Sequence, residues 1–177
     1  MLLSIQQKYI LEALRKLGCV RQDQLHALVR NKFQSLGLEI REVQMAAMLR
    51  QLRAGPGDFR LDSGFVYLAC GQPDTARLEA IDVMLELSEG APQDFTVNVD
   101  SPCLLRFTLG GDKLKLFSVA RLSHVSDPQQ LRRERSERIV WISDSGKPPE
   151  GVSLSPKHFF AARKADGSHC FYGSNGP

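Results

Sequence analysis

Three short helical patterns followed directly by a hairpin signature occupy the first seventy residues, and no other stretch constrains the fold as strongly. Ser4 and Gln7 form a capping box, Ile10, Leu11, Leu14 and Leu17 recur at helical spacing, and Gly18 can close that helix with a positive φ. Cys19-Val20 reads as a short link. A second helix from about Gln22 to Lys32 presents Leu25, Leu28 and Val29, with Phe33 extending the face and Gly37 in the turn beyond it. A third, from about Ile40 to Arg53, buries Met45, Leu49 and Leu52, which steps of four and three keep within one arc. After Gly55-Pro56-Gly57, the runs Phe59-Arg60-Leu61 and Phe65-Val66-Tyr67-Leu68 flank the turn Asp62-Ser63-Gly64. Three helices and a hairpin are the order of a winged helix-turn-helix, expected over residues 1–72.

At 100° per residue, Gln44, Ala47, Arg50 and Gln51 fall opposite the buried line of the third helix, with Val43 on the same side, either to touch a thymine methyl or to pack under the wing. Glutamine can bond adenine in the major groove, arginine can bond guanine or phosphate, and a small alanine permits close approach. Arg53 and Arg60 bracket the break before the hairpin and can reach backbone phosphates, fixing register without reading sequence; Arg41 flanks the helix start. The expected DNA-binding set is therefore Arg41, Gln44, Ala47, Arg50, Gln51, Arg53 and Arg60, with double-stranded DNA as the partner. Charge points the same way. Residues 1–72 hold ten basic against six acidic side chains, whereas residues 73–177 hold thirteen against fourteen. Solvated helix faces also carry such charge, and winged helices also serve as protein-protein modules. The alternative reading is thus a scaffold for a protein partner.

In residues 73–177 the pattern is that of a small mixed α/β domain, which makes the whole chain α+β. Gln72-Pro73-Asp74 breaks the chain, and Asp74 or Thr75 can cap a helix to about Ser88 with Leu78, Ile81, Val83, Met84, Leu85 and Leu87 as apolar positions. Phe95, Val97 and Val99 alternate as in a half-buried strand, and Leu104 to Leu109 and Leu114 to Leu122 flank Gly110-Gly111-Asp112. A charged segment from Asp127 to Arg138 reads as a helix, in which Arg132, Arg133, Arg135 and Arg138 would pair with Glu134 and Glu137 on a solvated face. Ile139 to Ile142 reads as a buried strand. Phe159 to Arg163 and His169 to Tyr172 flank a closing hairpin turn at Ala165-Asp166-Gly167-Ser168. Lys113 and Lys115 read as edge-strand charges.

The order helix, three strands, helix, strand has the topology of the PD-(D/E)xK nuclease core, but without its acidic motif. The second strand has no acid, Phe117-Ser118-Val119-Ala120 stands where the acid-x-Lys pair belongs, and Asp100 and Asp112 fall in turns. Phosphate-binding, dinucleotide and nucleophile-elbow motifs are missing from the sequence. Cys19, Cys70, Cys103 and Cys170 form no C-x-x-C pair, and His26, His124, His158 and His169 are equally dispersed, so reduced thiols and no metal site are expected. Neither catalytic residues nor a cofactor is expected. No apolar run approaches the ~20 residues that span a bilayer, and the N-terminus lacks the features of a signal peptide, so a cytoplasmic protein is expected.

The layout resembles the replication-relaxation type of protein found on plasmids and conjugative elements of Gram-positive bacteria, in which a winged helix precedes a small α/β domain. The residues carrying the resemblance are Tyr9-Ile10-Leu11-Glu12-Ala13-Leu14, then Val20-Arg21-Gln22-Asp23-Gln24-Leu25, and Arg41 to Leu52 with the hairpin after it. It covers the N-terminal seventy residues, and the rest in topology alone. It implies non-enzymatic DNA binding tied to replication of a mobile element or its control, with no catalytic residues to carry over. The second domain would then mediate oligomerisation or a partner contact. DNA-binding winged helices often act as dimers, which makes a homodimer an expectation, although no heptad or long exposed apolar helix marks an interface.

Overall fold

Helix starts in the N-terminal part share one local device. Helix α1 (Ile5–Leu17) is capped by Ser4, whose Oγ accepts from Gln7 N at 3.1 Å while Gln7 Oε1 accepts from Ser4 N at 3.0 Å. Helices α2 (Gln22–Gln34) and α3 (Glu42–Ala54) start at arginines, and each keeps half of the box: Gln24 Oε1 accepts from Arg21 N at 3.0 Å and Gln44 Oε1 from Arg41 N at 2.8 Å. A glutamine at the third helical position thus satisfies an otherwise orphaned N–H in all three. Gly18 closes α1 at φ +72°, a value costly for any residue with a side chain, and its N–H bonds Leu14 O at 2.8 Å.

The computed structural model describes residues 2–55, 58–68, 72–124, 136–147 and 156–173, which fall into two units, 1–78 and 79–177. The boundary lies within helix α4 (Thr75–Leu87), six residues beyond the one expected at 72/73. Unit 1 contains α1, strand β1 (Cys19–Arg21), α2, α3, and the hairpin β2 (Phe59–Asp62) and β3 (Phe65–Leu68). Its three-stranded antiparallel sheet has the order β1-β3-β2. Cys19-Val20, expected as a link, is therefore a strand, with Cys19 opposite Tyr67 and Arg21 opposite Phe65. Three residues are too few to show alternation, and only the pairing with β3 makes them a strand. The hairpin turn has positive φ at both central residues, Ser63 (49°) and Gly64 (85°), as a two-residue turn matched to strand twist requires.

The core of unit 1 includes Ile10, Leu14, Leu17, Leu25, Leu28, Leu52 and Val66, all at or near complete burial, with Met45 and Leu49 buried as the periodicity anticipates. Tyr9 packs edge-to-face on Phe33 with ring centroids 5.8 Å apart. Gln24 is buried, and its Nε2 donates to Leu78 O at 2.8 Å. Gln24→Ala is expected to destabilise unit 1 by about 1–2 kcal/mol, because it orphans the Arg21 N–H and removes the side-chain bond that the Leu78 carbonyl accepts in addition to its helical one. A lowered urea midpoint at an unchanged denaturant slope would show it; a midpoint within error of wild type would refute it.

Unit 2 builds a six-stranded mixed sheet from β4 (Asp94–Thr96), β5 (Cys103–Leu109), β6 (Lys115–Arg121), β7 (Arg138–Ser143), β8 (Phe159–Arg163) and β9 (His169–Gly173) in sequential order. Neighbours from β4 to β6 and the pair β8–β9 are antiparallel, while β6–β7 and β7–β8 are parallel. The near-continuous burial of Ile139-Val140-Trp141-Ile142 follows from that central parallel position, where both strand faces are covered. Strand β4 stops at Thr96, short of the expected Val99, because Thr96 Oγ1 accepts from Asn98 N at 3.0 Å and draws the backbone out of the ladder.

Most of the expected helix Asp127–Arg138, including Arg132, Arg133 and Arg135, lies outside the described residues. Its last two expected members are corrected. Arg138 opens β7 with its guanidinium 5.5 Å from the Phe117 ring centroid, and Glu137 is buried, accepting from Ser118 Oγ and pairing with Arg106 Nη2 at 3.6 Å. A solvated ion-paired face is not where Glu137 sits.

Candidate nucleic-acid interface

The exposed side of α3 carries most of the expected reading residues, and its chemistry is narrower than the sequence implies. Gln44, Arg50, Gln51 and Arg53 are exposed, Ala47 is half-buried, and Arg41 is exposed at the helix start. On β2, the alternation that buries Phe59 turns Arg60 outward. Arg50, Arg53 and Arg60 form no ion pair among the described residues, whereas Arg41 Nε stands 3.7 Å from Glu39 Oε1.

Both glutamines have partners inside the protein. Gln44 Oε1 is occupied by the Arg41 N–H of the helix cap. Gln51 Oε1 accepts from Gln7 Nε2 at 2.8 Å, and Gln7 is itself buried and held by Ser4. The chain Ser4–Gln7–Gln51 ties the first turn of α1 to the last turn of α3. A glutamine that recognises adenine uses its carbonyl and amide groups together, so an engaged carbonyl weakens it as a reader. The Ser4/Gln7 box is legible in the sequence; its onward bond to Gln51, 44 residues away, is not.

The other flank of α3 is acidic. Asp23, His26, Glu42, Met45, Ala46 and Leu49 line a cleft of about 350 Å³ between α2 and α3. His26 Nε2 donates to Ile40 O at 2.9 Å and holds the loop ahead of α3 against α2. Asp23 is engaged by the Arg21 guanidinium, with Nε and Nη2 each 3.1 Å from a carboxylate oxygen. A polyanion would meet Arg50 on the face opposite the buried line, while the cleft flank offers it the Glu42 carboxylate and an Asp23 already paired with Arg21.

Unit 2 holds a second polar concentration. His169 is completely buried at its side chain, with Nδ1 3.1 Å from Glu86 Oε1 and Nε2 3.5 Å from Glu79 Oε1. Arg121 bridges Glu79 and Asp144. Burial opposes charge on the imidazole, but the flanking carboxylates win and raise its pKa; the His169 contact in turn is the main cause lowering the Glu79 pKa. By sequence His169 is only one of four dispersed histidines. The geometry of this cluster is that of a buried ion network. Cys19, Cys103 and Cys170 are free thiols, and burial is the main cause raising the Cys19 pKa. Among the described residues no group of three or more His, Cys, Asp or Glu side chains could hold a metal ion.

No protein-family model matches the chain, and no curated protein or solved structure matches it.

Proposed function

We propose that unit 1 is a winged helix that binds double-stranded DNA without catalysing a reaction, with α3 as the reading helix and the β2–β3 hairpin as the wing. The carrying observation is the outward display of Arg50, Arg53 and Arg60 from α3 and β2, without ion-pair partners among the described residues. The element order α1-β1-α2-α3-β2-β3 with sheet order β1-β3-β2 supports the fold reading. The resemblance to replication-relaxation proteins supplies the context, a regulator or replication accessory of a mobile element acting in the cytoplasm. Unit 2, a sheet with no nuclease-like acidic motif, then serves oligomerisation or a partner. Among the described residues no helix is long and apolar enough to cross a membrane.

Fluorescence anisotropy of a labelled duplex across salt concentrations tests the proposal. Two phosphate contacts, from Arg53 and Arg60, give a slope near −1.8 in log affinity against log salt, which is about a 12-fold weakening from 50 to 200 mM. Arg60→Ala should weaken all sequences alike and make the slope shallower by about one, while Arg50→Ala should also relax sequence preference. No binding at low salt would end the proposal and leave unit 1 as a protein-interaction module.

A further inference from the structure

We infer that α3 reads DNA through a stripe of Val43, Ala47 and Arg50, with Val43 seating against the 5-methyl group of a thymine and Arg50 bonding a guanine. This deepens, and rests on, the DNA-binding reading of unit 1. Val43 is 78% exposed, the most exposed large apolar side chain on α3. A single exposed valine needs no explanation by itself. Its position does, because at 100° per residue Val43, Ala47 and Arg50 lie within about 60° of one another, opposite the buried Met45, Leu49 and Leu52.

The neighbouring polar candidates are removed from that stripe by observed bonds. Gln51 is held by Gln7 of α1, and Gln44, about 20° from it around the helix, spends its carbonyl on its own helix cap. Glu42 belongs to the other flank and lines the α2–α3 cleft. What remains on the stripe is a branched apolar group, a small residue that lets the backbone come close, and an unpaired guanidinium. Those groups match the major-groove edges of thymine, which offers a methyl, and guanine, which offers two acceptors. Seven residues at 1.5 Å rise separate Val43 from Arg50 by about 10 Å, on the order of three base-pair steps. The recognised half-site accordingly holds a thymine and a guanine two to three base pairs apart.

Selection by the full-length chain from a randomised duplex library gives the probe, and each thymine of the selected duplex is then replaced singly by deoxyuridine, which removes the methyl alone. One replacement should weaken wild-type binding about fourfold, the equivalent of one buried methylene-sized group. The same replacement should have no effect on Val43→Ala, whose thermal midpoint should match wild type because the side chain is exposed. Arg50→Ala should lose discrimination at the guanine and keep the sensitivity to uracil. If wild type binds the selected duplex but tolerates uracil at every position, the Val43 inference falls while DNA binding stands. If no duplex is bound at low salt, the underlying reading fails first, and the inference with it.

Discussion

Trp141→Ala is expected to lower the stability of unit 2 by about 3–5 kcal/mol, the range for deleting a fully buried large aromatic side chain. Trp141 lies on the central strand β7 at 0% exposure, packed with Cys103, Ala120, Ile139 and Phe160, and against Val99, Leu122 and Tyr172. These neighbours come from both halves of the sheet, so a cavity there loosens the contacts that join the antiparallel β4–β6 part to β8 and β9. The indole Nε1 has no hydrogen-bond partner among the described residues. Trp141→Phe should therefore cost less than its lost volume suggests, because it also removes a buried unsatisfied donor. Far-UV circular dichroism in urea is the appropriate measurement, since Trp141 is the sole tryptophan and its fluorescence is lost in both variants. An alanine variant unfolding within about 1 kcal/mol of wild type would show that the β7 cluster is not the core of unit 2.

Replacing the buried cation between Glu79 and Glu86 carries the second large effect. His169→Ala at pH 6 is expected to destabilise unit 2 by about 2–3 kcal/mol, below the 3–5 of a fully buried pair because Glu86 keeps 29% exposure and water screens it. The pH dependence has a definite sign. Desolvation works against the imidazolium, but Glu79 and Glu86 raise the folded-state pKa of His169 above its ordinary value. Its contribution is complete below the unfolded pKa of about 6.5 and is lost as pH rises through the folded one. Glu79 has the opposite sign. Its carboxyl is held low chiefly by His169, with Arg121 and Arg163 adding to the effect, so its contribution is present above about 4.3 and is lost as pH falls through its folded value. Stability from this network is thus greatest between the carboxylate and imidazole ranges. Wild-type urea midpoints, followed by Trp141 fluorescence, should decline from pH 6 to pH 8, and the decline should flatten in His169→Ala. A wild-type midpoint that rises over that interval contradicts the assignment.

Much of unit 1 is legible locally. The Ser4/Gln7 cap, the Met45–Leu49–Leu52 line and the Asp62-Ser63-Gly64 turn depend on residues within a few positions of one another, and the structure places each as the spacing implies. The same locality explains the gaps. Strand β1 exists only through β3, more than 40 residues later, and the Gln7–Gln51 bond spans 44. Glu137 sits among charged neighbours in sequence and so reads as solvated, yet it is buried against Ser118, 19 residues earlier. His169 meets Glu86 across 83 residues, a pairing that periodicity does not encode.

By itself the sequence determined the three helices of unit 1 apart from a residue or two at their ends, which face of α3 is buried, and where the β2–β3 hairpin turns, because capping, 3.6-residue periodicity and positive-φ turns are short-range physics. The tertiary structure decided which polar side chains remain available. Packing α1 against α3 engages Gln51, and the helix cap engages Gln44, while Val43, Arg50, Arg53 and Arg60 stay open to solvent. A hydrogen-bonding group is free only if no other part of the chain reaches it, and that is settled by contacts between residues distant in sequence.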